Sequence, residues 1–297
     1  MAAGDHPEKA DMRRTSWLVV VFLCSFVAVA AAGGPKSVRK QAEASMQVTG
    51  VIDIEASGSV SDFRIDHPEK LSPDLVKLLG TMVAAWKFEP VLEDGRPVAV
   101  STRTSVRLIA KPAEDGAYLL RIGGAAFGFG DNEHAPRKVS VKAPSYPMSP
   151  ARGGVSGTVY LVLKVGRQGT VVDAIAEQVN LRVVAGEARM EQLRGQLAES
   201  ALRAARGWTF APPTAGPDID ADHWSLRVPV DFVIRAGATG PADEYGRWLG
   251  YVPGPRHPIP WAEKDDDFQA APDALIAGDF YSSRHGGPRL LTDLGSN

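Results

Sequence analysis

Hydrophobic and polar residues alternate most clearly in the second half of the chain. Every second residue from 159 to 165 is apolar there, and these residues are Val159, Leu161, Leu163 and Val165. This period of two predicts a β-strand with one buried face. Gly169 follows where a hairpin needs a residue that tolerates positive φ. Apolar residues then recur every three or four positions over 193–205, which predicts a helix with one apolar stripe that leads to Trp208.

The first half of the chain repeats the same order of features. An apolar stretch begins at Gly50 and is followed by a glycine turn at Gly58. A helical pattern comes next, with Ser72 as its predicted N-cap and Pro73 at its first position. Each helical pattern runs into a Trp-x-Phe sequence and then a further strand. Two copies of one supersecondary pattern are therefore predicted.

The predicted fold class is α+β. Each copy should form a three-stranded antiparallel sheet with one helix packed on it. The Trp-x-Phe rings are large enough to close most of a small core between helix and sheet. We therefore assign them as structural core residues, and they are Trp86, Phe88, Trp208 and Phe210.

The N-terminal residues 1–34 have the pattern of a signal peptide or a signal anchor. An uncharged apolar run, 17–32, follows three basic residues and ends in small residues before Gly33. This run is short for a membrane span, so the alternatives of a cleaved signal and an uncleaved anchor both stay open. Either one places the rest of the chain outside the cytoplasm.

Composition and charge exclude several classes of function. Hydrophobic residues make up 44% and charged residues 23% of the chain, and the formal net charge is −2. Nucleic-acid binding is therefore not expected, because it normally requires a surplus of basic residues. The single cysteine and the six scattered histidines offer no metal site and no cofactor site. No pair of titratable residues has a spacing that suggests catalysis, so we do not expect an enzyme.

Separated landmarks in the second copy resemble the TonB C-terminal domain. These are Ser145-Tyr146-Pro147, the two glycines Gly157 and Gly169, the sequence Trp208-Thr209-Phe210-Ala211-Pro212, and the closing Val228-Pro229-Val230-Asp231-Phe232. The resemblance covers about residues 140–236. The first copy, 46–111, resembles the same domain in a degenerate form without the Tyr-Pro start. The chain is thus similar to a tandem, energy-transducer TonB-like protein.

The resemblance implies a protein of the Gram-negative periplasm, either secreted or anchored to the inner membrane by residues 17–32. Its partner would be an outer-membrane TonB-dependent receptor or another envelope protein, in TonB-dependent transmembrane transport. An extended segment of that partner would add to an exposed strand edge. The residues assigned to this contact are Tyr146, Pro147, Leu226, Val228, Val230, Phe232 and Ile234. Pro229 agrees with an edge strand, because proline cannot donate into a ladder.

The remaining segments leave two functional hypotheses open. Residues 112–139 are interpreted as a Gly-rich linker, and 237–297 as a Pro-rich C-terminal tail. An uncleaved anchor would favour transport and contact with an inner-membrane motor complex. The alternative is an exported tandem adaptor or scaffold of the cell envelope without energy transduction. The proline-rich segment 253–261 either lies against the protein's own sheet or docks into a partner as polyproline II.

Overall fold

The computed structural model describes residues 34–112, 118–128, 133–234, 244–262, 272–283 and 287–294. The export segment predicted for 1–34 lies outside these residues except for its last position. Among the described residues, no helix is both long and apolar enough to cross a membrane.

The described elements are mostly antiparallel strands with a few helices, so the predicted α+β class is confirmed. The helices are α1 (Pro35–Arg39), α2 (Pro73–Ala84), α3 (Met148–Arg152) and α4 (Glu187–Ala205). The strands are β1 (Glu43–Ile54), β2 (Val60–Ile65), β3 (Leu92–Glu93), β4 (Arg96–Pro97), β5 (Val100–Pro112), β6 (Tyr118–Phe127), β7 (Arg137–Ser140), β8 (Gly157–Gly166), β9 (Val171–Leu181), β10 (Thr209–Ala211), β11 (His223–Phe232), β12 (Leu249–Tyr251) and β13 (Tyr281–Ser282).

The first sheet is built around the long strand β1. Its order is β12-β1-β5-β6, and β2 pairs with the same edge of β1 as β12 does. Helix α2 packs on this sheet through Leu79 and Val83, which are buried with Ile52 and Leu108 in one hydrophobic core. The Ser72 side chain accepts a hydrogen bond from the Leu75 N–H, so the predicted N-cap is confirmed.

The second sheet has the order β13-β11-β8-β9. Helix α4 covers one face of it, and Leu193 and Leu197 pack against Leu161 and Leu163 in a second core. The other face of β8 is also buried, as the low exposure of Thr158 and Tyr160 shows. The prediction of only one buried face is therefore wrong here, because this face is covered by the first sheet and by the C-terminal segment. Arg107 of β5 and Tyr160 of β8 both line the space between the two sheets.

The two halves share a matching contact between their hairpin turn and their Trp-x-Phe segment. The Phe88 N–H donates to the Gly58 carbonyl at 2.8 Å, and the Phe210 N–H donates to the Gly169 carbonyl at 2.8 Å. Both glycines have positive φ, at 81° and 75°. The turns thus hold equivalent positions relative to the extended chain that leaves each helix.

The interpretation of 112–139 as a linker needs correction. Residues 118–127 of this segment form β6, which pairs with β5 along its whole length. Gly123 in this strand serves packing, because a Cβ added there would lie 2.2 Å from the Ile109 side chain. Glycine at this position lets β6 pass close to β5 at a bulge, where a larger residue would not fit.

Candidate partner-binding edges

Strand β11 contains most of the residues predicted to bind a partner. The side chains of Leu226, Val228, Val230 and Phe232 belong to the core under α4 and are all buried. Ile234 lies beyond the strand and is 36% exposed. Only the outer backbone edge of β11 could therefore have served a partner, and not these side chains.

That outer edge is occupied by the C-terminal segment. β13 pairs with it, with Arg227 opposite Tyr281. The Ser283 N–H donates to the Ser225 carbonyl at 3.0 Å, and the Gly278 N–H donates to the Pro229 carbonyl at 3.2 Å. The expectation of a free edge on β11 is thus wrong from residue 225 to residue 229. The reason is that the tail returns to the second sheet and pairs with its edge.

The Tyr-Pro pair lies at the start of the second half and packs within it. The ring of Tyr146 meets that of Phe232 edge to face at a centroid distance of 5.3 Å, and its hydroxyl donates to the Val155 carbonyl. Burial raises the pKa of Tyr146 above its ordinary value, so the hydroxyl remains a donor. Pro147 is the N-cap of α3. Both residues therefore fix local structure beside the end of β11.

The four predicted core residues are buried, and each Trp-x-Phe pair receives a third ring from outside its own copy. In the first half Phe127 of β6 lies 5.0 Å from Phe88, measured between ring centroids. In the second half Phe280, which precedes β13, lies 5.2 Å from Phe210. The segments interpreted as linker and tail thus complete the two cores.

The proline-rich segment lies across the face of the second sheet that α4 leaves uncovered. Its anchor is an ion-pair cluster, in which the buried Glu177 carboxylate accepts from Arg227 Nε and Nη2 at 2.8 Å and from Arg256 Nε at 2.7 Å. The Trp261 indole N–H donates to the Ser225 hydroxyl at 3.1 Å. Hydrogen bonds and ion pairs therefore hold the proline-rich segment on the second sheet.

The C-terminal segment also pairs with both sheets at their β1 and β9 edges. β12 pairs with β1, and its Tyr251 lies opposite Glu43. The next residue, Val252, exchanges two backbone hydrogen bonds with Leu181 of β9, at 2.7 and 3.1 Å. One short stretch of chain therefore joins the edges of the two sheets.

The outer edge of β6 carries no paired strand among the described residues. β6 is ten residues long and ends the first sheet on the side away from β1. The Gly128 N–H, just beyond β6, donates to the carbonyl of Arg103 in β5. Arg103 and every second residue after it in β5 therefore direct their backbone N–H and C=O groups towards β6. Since backbone groups alternate along a strand, those of Leu120 and Ile122 point outwards. Tyr118 and Leu119 beside them are 66% and 68% exposed.

Sequence reasoning missed this edge because it assigned β6 to a linker. A usable signal existed in the apolar run Tyr118-Leu119-Leu120, followed by Ile122, before the glycines. No group of three potential metal ligands occurs within the described ranges. No protein-family model matches this chain, and the comparisons with curated proteins and with solved structures likewise find no match. What the chain binds therefore has to be inferred from its own geometry.

Proposed function

We propose that this chain is an exported adaptor of the cell envelope, composed of two TonB-like repeats. It binds an extended segment of another envelope protein by strand addition to the outer edge of β6. The observation that supports this proposal most is the difference between the sheet edges that the C-terminal segment covers and the outer edge of β6. The C-terminal segment covers edges of β1, β9 and β11, whereas β6 carries no strand on its outer side among the described residues.

Strand addition needs outward backbone groups and some side-chain contact beside them. Leu120 and Ile122 offer the first, because an incoming strand can pair with their N–H and C=O groups. Tyr118 and Leu119 offer the second, since each leaves about two thirds of its side chain open to solvent. An apolar pair at a strand end gives an incoming peptide both affinity and register.

Two further features support the repeats and the location. The matched hydrogen bonds from Phe88 to Gly58 and from Phe210 to Gly169 agree with a duplicated TonB-like pattern. The apolar run 17–32 after basic residues favours a periplasmic protein, either secreted or anchored to the inner membrane. The partner that the family resemblance suggests is the extended TonB box of an outer-membrane receptor.

A second candidate is transporter binding at β11, in TonB-dependent transport with an inner-membrane motor complex. The observation in its favour is the short ladder of β13, which has only two residue pairs with β11. A ladder of this length is small enough to be displaced by a longer strand. In this candidate the transporter segment would replace β13 beside Arg227 and Pro229.

One binding experiment separates the two candidates. A fluorescently labelled TonB-box peptide is titrated with the full chain and followed by anisotropy. Leu120→Pro removes an outward N–H of β6 without touching its ladder to β5, and Leu120→Ala is the control that keeps the N–H. Ser283→Pro removes the hydrogen bond from β13 to Ser225, and Ser283→Ala keeps it.

The adaptor proposal predicts that Leu120→Pro weakens binding at least about tenfold relative to Leu120→Ala, since a lost hydrogen bond together with a disturbed neighbour amounts to about 1.5 kcal/mol. Ser283→Pro should then have no effect. Tighter binding by Ser283→Pro, with Leu120→Pro unchanged, would favour transporter binding at β11. Absence of any binding would exclude the TonB box as the partner segment at either edge.

A further inference from the structure

A strip of chain that contains β7 and α3, residues 137–152, lies beside helix α4 in the second half of the molecule. The Trp208 indole N–H, just after α4, donates to the Lys142 carbonyl at 2.8 Å. The Ser200 hydroxyl of α4 donates to the Ser145 carbonyl, and α3 also contacts α4. The strip and the helix therefore form neighbouring parts of one outer surface.

This surface, formed by residues 137–152 and 187–206, carries exposed basic side chains, and we call it the basic face. Five of these side chains make no ion pair and no hydrogen bond within the described part of the chain, and they are Arg137, Lys142, Arg152, Arg203 and Arg206. The strip contains no acidic residue, and Glu199 is the only one from 192 to 206. Since the whole chain has a net charge of −2, the positive charge is concentrated locally on this face.

Two exposed apolar side chains lie among the basic residues of the strip. Val139 is 65% exposed and Met148 is 64% exposed. The basic residues beside them are spread along α4, whose 19 residues span about 28 Å. A broad face of this kind suits a flat anionic surface, because apolar insertion and attraction to anionic lipids add to each other in binding at a membrane interface.

Helix α1 adds further positive charge to the same half. Val38 of α1 is buried in the core that α4 covers. Three other residues of this segment are exposed and have no ion pair among the described residues, and they are Lys36, Arg39 and Lys40. In the sequence they follow closely on the apolar run 17–32, for which an export signal or anchor is predicted. An anchored chain would therefore keep the second half within reach of the bilayer surface.

We propose that the basic face docks on the surface of an anionic phospholipid bilayer. Its lysine and arginine side chains bind the lipid phosphates, and Val139 and Met148 enter the headgroup layer. This contact is separate from strand addition at β6, because β6 belongs to the first sheet. The docked chain would present a strand edge for a partner while it is held at the membrane.

The test is a vesicle titration of the full chain with a fluorescent label that senses transfer from water to lipid. Cys24→Ser removes the native cysteine, and Met148→Cys then places the label on the basic face. Leu92→Cys, at a position of the first half that is 61% exposed, is the matched control. The label is the readout instead of vesicle capture, because the apolar run 17–32 is expected to enter any bilayer.

The emission of the label at position 148 should shift to shorter wavelength with vesicles of equimolar phosphatidylglycerol and phosphatidylcholine, and not with phosphatidylcholine alone. Sodium chloride at about 0.5 M should reverse the shift, because it screens the attraction between exposed charges. An equal shift with both kinds of vesicle, or an equal shift of the label at position 92, would overturn the proposal.

A pair of neutralising variants shows whether these basic residues are responsible. Each basic residue near an anionic surface contributes about fivefold to binding, so Lys142→Gln with Arg206→Gln should raise the half-saturating lipid concentration at least about tenfold. Lys77→Gln with Arg96→Gln removes equal charge at exposed, unpaired positions of the described first half and should leave that concentration nearly unchanged. Equal responses of the two variants would overturn the proposal. A shift with soluble poly-L-glutamate but not with the anionic vesicles would also overturn it, in favour of an acidic polypeptide.

Discussion

The hairpin glycines provide the sharpest prediction about how each half holds its hairpin turn against its own Trp-x-Phe segment. Gly169 has φ of 75°, and a Cβ added there would lie 1.8 Å from the Phe210 carbonyl oxygen. Gly58 has φ of 81°, and its added Cβ would lie 2.1 Å from the Phe88 carbonyl oxygen. We therefore expect Gly169→Ala and Gly58→Ala to destabilise the protein to a similar degree.

The magnitude follows from two destabilising contributions and one that offsets part of them. Alanine in a left-handed conformation costs about 1–2 kcal/mol. Displacement of the phenylalanine carbonyl also weakens the hydrogen bond from Phe210 N–H to the Gly169 carbonyl, which contributes about 0.5–1.5 kcal/mol. The smaller entropy of the unfolded alanine chain offsets part of this, by about 0.4–1 kcal/mol. The central values sum to an expected loss in the free energy of unfolding of about 1.8 kcal/mol for each variant, within a range of about 0.5–3 kcal/mol.

Two helical glycines give matched controls for this experiment. Gly195 in α4 and Gly80 in α2 have open space where a Cβ would be added. Their replacement by alanine should raise the free energy of unfolding by about 0.5–1 kcal/mol, because alanine is the better helix former. Urea unfolding followed by tryptophan fluorescence measures all four variants. If Gly169→Ala unfolds at the same urea concentration as the unsubstituted chain, the contact between turn and Trp-x-Phe segment is not as described.

Two further predictions concern charged groups. We expect Glu177→Gln to lower the free energy of unfolding by about 3–5 kcal/mol, because Arg227 is left buried without its carboxylate. Arg256→Gln, at a side chain that is 42% exposed, should lower it by less than about 1 kcal/mol in the same urea assay. Equal losses for the two variants would contradict the assignment of Arg227 as the buried partner of Glu177. Burial raises the pKa of Glu43, but hydrogen bonds from Tyr251 and a lysine outweigh this, and the pKa lies below its ordinary value of 4.5. The ionised Glu43 carboxylate therefore stabilises the fold above about pH 4.5, and this stabilisation is lost as the pH falls through the lower pKa of the folded state. Glu43→Gln should consequently flatten the acid side of a curve of Tm against pH. An unchanged curve would refute the assignment.

Local signals in the sequence were sufficient to predict the central parts of the fold. The alternation from Val159 to Val165 and the turn at Gly169 predicted the hairpin of β8 and β9, because both depend on neighbouring residues only. The capping of α2 by Ser72 was predictable for the same reason. The burial of both Trp-x-Phe pairs followed from their size.

The strands that complete the sheets could not be predicted in this way. β12 and β13 have three and two residues, and β13 pairs with residues more than fifty positions earlier in the chain. Such short segments show no periodicity, and their pairing depends on tertiary contacts. In β6, Gly123 packs against Ile109, but in the sequence it resembled a glycine of a linker. The edge assigned to partner binding was consequently placed on β11, which the tail covers, whereas β6 ends the first sheet.

Amide hydrogen exchange with and without a TonB-box peptide tests the central claim most directly. The outward N–H groups of Leu120 and Ile122 should exchange quickly in the free chain and at least about tenfold more slowly in the complex, because an incoming strand would bond them. Exchange at Asp231, the next outward position of β11 beyond the residues that the tail covers, should remain unchanged. Protection at Asp231 without protection at Leu120 and Ile122 would contradict the claim that β6 is the binding edge.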